Sequence, residues 1–184
     1  MELVTNEIIP REYRDAVTTF LTYLEPGETV LVLGASETEL LKKFRDNGFH
    51  VICVEQDPEL CKKWQAEGIE MIQGTFKKLA STKVPNELQG IWGGAAFEHM
   101  SGEDFEHTLE IIHMMLPEQG VLFLTVPRKS EHGETEIMHG ADSTHFFTEE
   151  ELSKILKDKE FDIKFIEEST PKVLTAVAVQ NQLF

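Results

Sequence analysis

The sequence predicts an α/β fold: a doubly wound, mostly parallel seven-stranded sheet with helices on both faces. Three observations carry that reading. Short β-branched apolar runs alternate along the chain with longer segments of helical period. The runs are apolar throughout rather than every second residue, the mark of strands covered on both faces. Single helices separate the early strands, which requires right-handed crossovers between parallel neighbours. At 184 residues, 41% apolar and 27% charged, the chain reads as one globular domain spanning 1–184.

Each element has its own signal. Arg11 to Leu24 sets Tyr13, Val17, Phe20, Leu21 and Leu24 at helical spacing before Pro26-Gly27, giving a helical segment within 1–24. Thr29 to Leu33 is the first strand. Glu37 to Asn47 is amphipathic through Leu40, Leu41 and Phe44, and Gly48 stands where a helix C-cap is expected. His50 to Val54 is the second strand. Asp57-Pro58 supplies an N-cap and a first-turn proline for a helix to Glu67. Ile69 to Gln73 and Gln89 to Gly93 are the third and fourth strands.

Ser101-x-x-Asp104 resembles a capping box, and Phe105, Leu109, Ile112, Met115 and Leu116 follow on one helical side. Val121 to Val126 is the fifth and most apolar strand. Arg128 to Phe147 shows neither period, so 127–147 is expected to be a long substrate-side loop. Thr148-x-x-Glu151 caps a helix to Lys159, and Phe161 to Ile166 and Lys172 to Gln180 close the sheet. Trp64, Trp92 and the Met114-Met115 pair read as core.

The formal charge of −16 excludes some partners. A protein gripping phosphate backbones or an anionic membrane needs a basic face, so neither nucleic acid nor membrane is expected. A small neutral or cationic ligand, or a basic protein surface, fits this charge. Met1 to Pro10 has no basic stretch leading into an apolar one, and no apolar window is long enough to span a bilayer. Cys53 and Cys61 have neither disulfide-framework nor zinc-pair spacing and read as small buried hydrophobes. The expected location is the cytoplasm.

In a doubly wound sheet the ligand sits beyond the carboxyl ends of the strands, where strand order reverses. The informative stretches are VLVLGASETELL, from Val30 to Leu41, and Val54-Glu55. Glu55 lies 21 residues after Gly34, about the ~20-residue offset at which an acid meets a ribose hydroxyl. A carboxylate there accepts from both ribose hydroxyls and repels a 2′-phosphate. The same acid can equally serve as a solvated strand end or a cap for the next helix. A nicotinamide-dinucleotide site is disfavoured, because the first turn lacks the three-glycine pyrophosphate cradle.

From about Tyr23 to Glu168 the sequence resembles a class I S-adenosylmethionine-dependent methyltransferase of the small single-domain, Rossmann-like kind. The matching pieces are VLVLG, VICVEQDPEL, IEMIQGTFKKL, IWGGAAFEHM, MMLPEQGVLFLTVPR and FFTEEELSKIL. The resemblance implies S-adenosylmethionine as cofactor, held by Gly34, Ala35, Ser36, Glu55, Gln56, Thr75, Phe76, Ala95 and Phe97. It implies a small-molecule methyl acceptor, with His99, His132 and His139 as catalytic candidates. Arg128, Glu134 and His145 stand in the segment that lies over the substrate in that family. His132, His139 and His145 with Glu134 and Asp142 also admit a metal, although their spacing matches no standard zinc pattern, and none is expected.

The sequence departs from the family pattern in four places. Val32 stands where the family has an acid, Ser36 and Thr38 replace glycines, and Thr75 replaces an acid that reaches adenine. These departures support an alternative: a catalytically impaired member acting as a regulatory or partner subunit, within a homo- or hetero-oligomer.

Overall fold

The computed structural model describes residues 13–35, 38–76 and 87–181, without the Thr38 side chain. Five parallel strands form most of the sheet: β1 (Thr29–Leu33), β2 (His50–Glu55), β3 (Glu70–Gln73), β4 (Gly90–Gly94) and β5 (Val121–Pro127). Two short strands follow, β6 (Glu136–His139) and β7 (Asp142–His145), and then β8 (Phe161–Thr170) and β9 (Val173–Gln180). The main sheet runs β3-β2-β1-β4-β5-β9-β8, with β9 antiparallel to β5 and β8 antiparallel to β9. This is the expected mostly parallel seven-stranded sheet. Its strand order reverses between β1 and β4, where Val30 is in register with Gly90 and Val32 with Trp92.

The helices are α1 (Arg14–Leu21), α2 (Thr38–Asp46), α3 (Pro58–Ala66), α4 (Gly102–Met115) and α5 (Glu149–Asp158). Three side-chain caps form where the sequence places them. Asp57 accepts from the N–H groups of Glu59 and Leu60, Ser101 from that of Asp104, and Thr148 from that of Glu151. The first helix is shorter than Arg11 to Leu24: it starts at Arg14, with Tyr13 as its N-cap residue, and gives way to turns after Leu21. None of the helices among the described residues is long and apolar enough to cross a membrane.

Alternate strand residues feed two separate apolar layers, so the strands are apolar on both sides. Val30, Val32, Val51, Cys53 and Phe123 pack with Phe20, Leu41, Phe44 and Trp64 from α1, α2 and α3. Leu31, Leu33, Ile52, Val54 and Leu122 pack on the other side with Phe105, Leu109, Ile112, Leu152 and Leu156 from α4 and α5. Trp92 stacks face to face on Phe123 at 3.7 Å, with Phe20 and Phe44 set edge-on against it. Both tryptophans are buried, in keeping with their expected place in the core, and Met115 packs against it, but Met114 is 75% exposed on the outer face of α4 and is not core.

Two segments differ from expectation. Residues 128–147 are not a structureless loop: β6 and β7 pair antiparallel, joined by Gly140-Ala141 with Gly140 at φ +67°. A glycine at the first central position suits a two-residue hairpin turn. All four β6 residues are exposed, so no inside-outside alternation marks this strand. β8 also runs four residues beyond Ile166, through Glu167 to Thr170, and its pairing with β9 shifts register between Ile163 and Phe165 and again between Glu168 and Thr170. An edge strand carries charge without an apolar period.

Gly93 is a packing constraint inside β4. A Cβ there would lie 2.4 Å from the Phe97 ring and 3.0 Å from the Phe123 carbonyl oxygen. We expect Gly93→Ala to lower unfolding free energy by about 1–3 kcal/mol, measured by urea melts, because the core is overpacked at this point.

Candidate functional site

A cavity of about 560 Å³ opens at the carboxyl ends of β1, β2 and β4, where the strand order reverses. Its volume lies within the range of small-molecule sites. Val32, Leu33 and Gly34 contribute from β1 and its turn, and Glu55 and Gln56 from the end of β2. Thr75 and Phe76 follow β3. Trp92, Gly94 and Ala95 come from the end of β4, with Ala96, Glu98, His99 and Met100 just beyond it. Asp142 enters from the hairpin.

The β1 turn is shaped by Gly34, whose φ of +93° is open to glycine at little cost. Among the described residues a Cβ there would meet the Phe76 ring alone, at 3.7 Å, and Gly34 itself borders the cavity. Gly34 donates its N–H to the Val54 carbonyl at 2.8 Å, which ties the turn to β2. Glu55 completes that tie. Its Oε2 accepts from the Ala35 N–H at 2.8 Å and its Oε1 from the Asp57 N–H at 2.9 Å. The carboxylate therefore bridges the turn after β1 and the start of α3 while its side chain borders the cavity. Each oxygen keeps a second lone pair for a further donor.

Most of the sequence-selected residues converge here. Gly34, Glu55, Gln56, Thr75, Phe76, Ala95 and His99 line the cavity, and Ala35 takes part through its backbone. Phe97 does not. It is buried in the core, edge-on to Phe105 at 5.4 Å, because the 3₁₀ turn of Ala95–Phe97 directs it beneath the sheet end. His132, in a turn before β6, and His139, on β6, are exposed and outside the cavity lining; the two-residue turn brings in Asp142, the register partner of His139, instead. Ser36 lies outside the described residues.

The sequence reading missed Trp92, Glu98, Met100 and Asp142 as lining residues. Trp92 has a dual place, buried in the core and bordering the cavity. Glu98 and Met100 flank His99, so their position in the turn after β4 was the available signal. For Asp142 it was the glycine of HGAD, a hairpin turn between two polar strands.

The lining is acidic. It contains Glu55, Glu98 and Asp142 and, among the described residues, no lysine or arginine. Among those residues no group of three or more His, Cys, Asp and Glu side chains is arranged to hold a metal ion. His145 faces carboxylates instead, with Nδ1 3.3 Å from Glu136 and Nε2 2.9 Å from Glu151.

A cavity at the switch point of a mostly parallel sheet, with a carboxylate at the end of the second strand, stands where open α/β sheets take their ligands. The model of the methyltransferase domain family matches residues 5–164, and the chain belongs to that family. No curated protein matches the sequence. Among solved structures, the chain is similar to the 1,6-didemethyltoxoflavin-N1-methyltransferase of Burkholderia thailandensis, solved with 1,6-didemethyltoxoflavin and S-adenosylhomocysteine. The two are 20% identical, with TM-score 0.74 over 94% of this chain and 79% of that one. It is also similar to an S-adenosylmethionine-dependent methyltransferase from Methanosarcina mazei, at 14% identity and TM-score 0.71 over 88% and 96% of the two chains. A glycopeptide N-methyltransferase complexed with S-adenosylmethionine matches at 16% identity and TM-score 0.66, over 92% of each chain. The fold is thus the class I methyltransferase fold, and S-adenosylmethionine is the cofactor that family membership implies.

Beneath the site, burial pushes the Cys53 thiol up to about 12, with help from the nearby charges of Glu55 and Cys61. Burial first, then Glu55 and Asp57, also raises Cys61. Both thiols stay protonated in the fold at pH 8, so we expect neither to react with a disulfide reagent until guanidinium unfolds the chain. Raised thiol values give a stability contribution that is complete below the ordinary thiol range near ~8.5. It declines as pH rises from there toward about 12, a trend that denaturant melts at pH 8 and above will register.

Proposed function

We propose that this chain is an S-adenosylmethionine-dependent methyltransferase acting on a small-molecule acceptor that is neutral or cationic. The observation that carries the reading is the Glu55 bridge at the rim of the switch-point cavity. The residues fit the cofactor: among the described residues the Phe76 ring alone would meet a Cβ on Gly34, and a carboxylate with a second lone pair on each oxygen borders the same cavity. Glu55 would receive the ribose hydroxyls, with Gln56, Thr75 and Phe76 around the base. The turn of Gly34 and Ala35 would meet the methionine end. When bound, S-adenosylmethionine supplies an electrophilic methyl group on a sulfonium.

The protein's own task is to align the acceptor and remove its proton. His99 suits that task. It projects from the turn after β4 into the cavity, is exposed, and has no ring hydrogen bond among the described residues. Either ring nitrogen, when unprotonated, can take a proton from an acceptor hydroxyl or amine. The acidic lining disfavours acceptors bearing carboxylate or phosphate, since like charges about 4 Å apart repel by ~1 kcal/mol or more even in water. The toxoflavin-precursor and glycopeptide enzymes among the similar structures also act on acceptors outside nucleic acid. An impaired, purely regulatory role gains little support, because the cavity stays open despite Val32 and Thr75.

Calorimetric titration tests the reading directly. S-adenosylmethionine and S-adenosylhomocysteine should both bind, and Glu55→Ala should weaken them about tenfold or more through loss of charge-assisted hydrogen bonds. Absence of binding by the unmodified chain at millimolar ligand would sink the proposal. In an acceptor screen, His99→Ala should lower turnover about a hundredfold or more while S-adenosylhomocysteine affinity holds.

A further inference from the structure

His145 is buried at a junction that the proposed mechanism does not use. It sits on β7 directly opposite Glu136 of β6. Its Nδ1 lies 3.3 Å from Glu136 Oε2, and its Nε2 lies 2.9 Å from Glu151 Oε1 in the first turn of α5. Glu151 thus donates its N–H to the Thr148 cap while its carboxylate turns to the imidazole. The His145 N–H donates to the Met100 carbonyl at 3.0 Å, and the Gly102 N–H donates to Glu136 Oε2 at 3.3 Å. Gly102 is pressed against the ring: a Cβ on it would lie 3.0 Å from Nδ1. The imidazole therefore joins Glu136 of the hairpin to Glu151 of α5, while the His145 backbone N–H and the Glu136 carboxylate tie the hairpin to Met100 and Gly102.

Two of those three elements carry cavity residues. The turn after β4 holds Glu98, His99 and Met100, and the hairpin holds Asp142. The imidazole also packs on Phe147, with ring centroids 4.4 Å apart. An apolar ring could make that contact without the desolvation that a buried polar group between two carboxylates incurs. The polar arrangement thus contributes to register more than to stability.

We propose that His145 is a positioning residue that locks the hairpin to the turn after β4 and so sets the acceptor-side wall of the cavity. The functional meaning of that wall rests on the methyltransferase reading above. Its mechanical content does not. Without the imidazole, Glu136 loses one of its donors. The hairpin then holds the 98–102 turn through the backbone bond to Met100 and a less firmly held Glu136, and His99 and Asp142 face the cavity in a looser relation. The ribose end, built on β1 and β2, is untouched.

Hydrogen–deuterium exchange on the full chain separates these consequences. His145→Phe keeps the ring packing and removes both carboxylate contacts; Glu136→Ala removes the contacts to His145 and Gly102 from the other side. Each variant should raise exchange about tenfold in 136–145 and in 98–102 together, the loss expected for one charge-assisted hydrogen bond. Exchange in 29–33 and 50–55, and S-adenosylhomocysteine affinity by calorimetry, should match the unmodified chain. His145→Gln, which can still donate to Glu151, should restore part of the protection. Exchange that rises throughout the domain, rises in the hairpin alone, or does not rise overturns the proposal. If the unmodified chain fails to bind S-adenosylhomocysteine while the paired exchange response persists, the methyltransferase reading falls and the lock stands.

Discussion

The Glu55 carboxylate bridges two turns that must stay in register for the cavity to exist. It is buried at the end of β2, where an unpaired anion would carry a large desolvation cost. Two backbone N–H groups from different turns offset that cost, one from Ala35 after β1 and one from Asp57 at the start of α3. The bond between Gly34 and the Val54 carbonyl runs alongside. These contacts hold open the turn at Gly34, where the chain leaves β1 at positive φ instead of folding over the strand ends. The residue that would grip a ribose is therefore the residue that builds the floor beneath it. On each oxygen one lone pair is taken by a backbone N–H and the second stays open toward a ligand.

Opposite this rigid floor stands a wall made of short, polar elements. Among the described residues the β6–β7 hairpin adds no side chain to either core layer, with Ile137 and Met138 on β6 exposed, whereas the turn after β4 sends Phe97 and Met100 into one of them. Their relation depends on hydrogen bonds at His145 and on packing against Phe147 and Phe105. Segments held chiefly by polar contacts are the ones that open locally at low free-energy cost. The domain thus pairs a floor fixed by the sheet with a wall fixed by side chains.

The net charge acquires a more specific meaning in this setting. Much of it lies on solvated helix faces, such as the first turn of α5, where three acids favour the helix N-terminus. Elsewhere it is paired, as with Lys159 between Glu106 and Glu110. A smaller part borders the cavity, where Glu55, Glu98 and Asp142 face the ligand space. Two of these acids enter from the turn after β4 and the hairpin, while among the described residues Val32 and Thr75 leave the β1 and β3 side of the lining without a carboxylate.

Local chemistry was enough to read the framework. Continuous apolar runs identified the strands because burial on both faces leaves no polar alternate, and Asp57, Ser101 and Thr148 marked helix starts because their side chains satisfy nearby N–H groups. Glu55 and Gly34 were legible for the same reason, each standing at a strand end with a characteristic local role. The hairpin was not legible: its paired strands are too polar and too short to show a period. Nor was the separation of Phe97 from His99, since a 3₁₀ turn sends neighbouring residues to the core and to the cavity. Asp142 and His145 reach their positions through contacts between segments tens of residues apart. Pattern and caps in the sequence determined which segments would form the sheet and its covering helices. Tertiary structure alone decided which polar side chains face one another across the cavity, because that depends on the packing of distant turns.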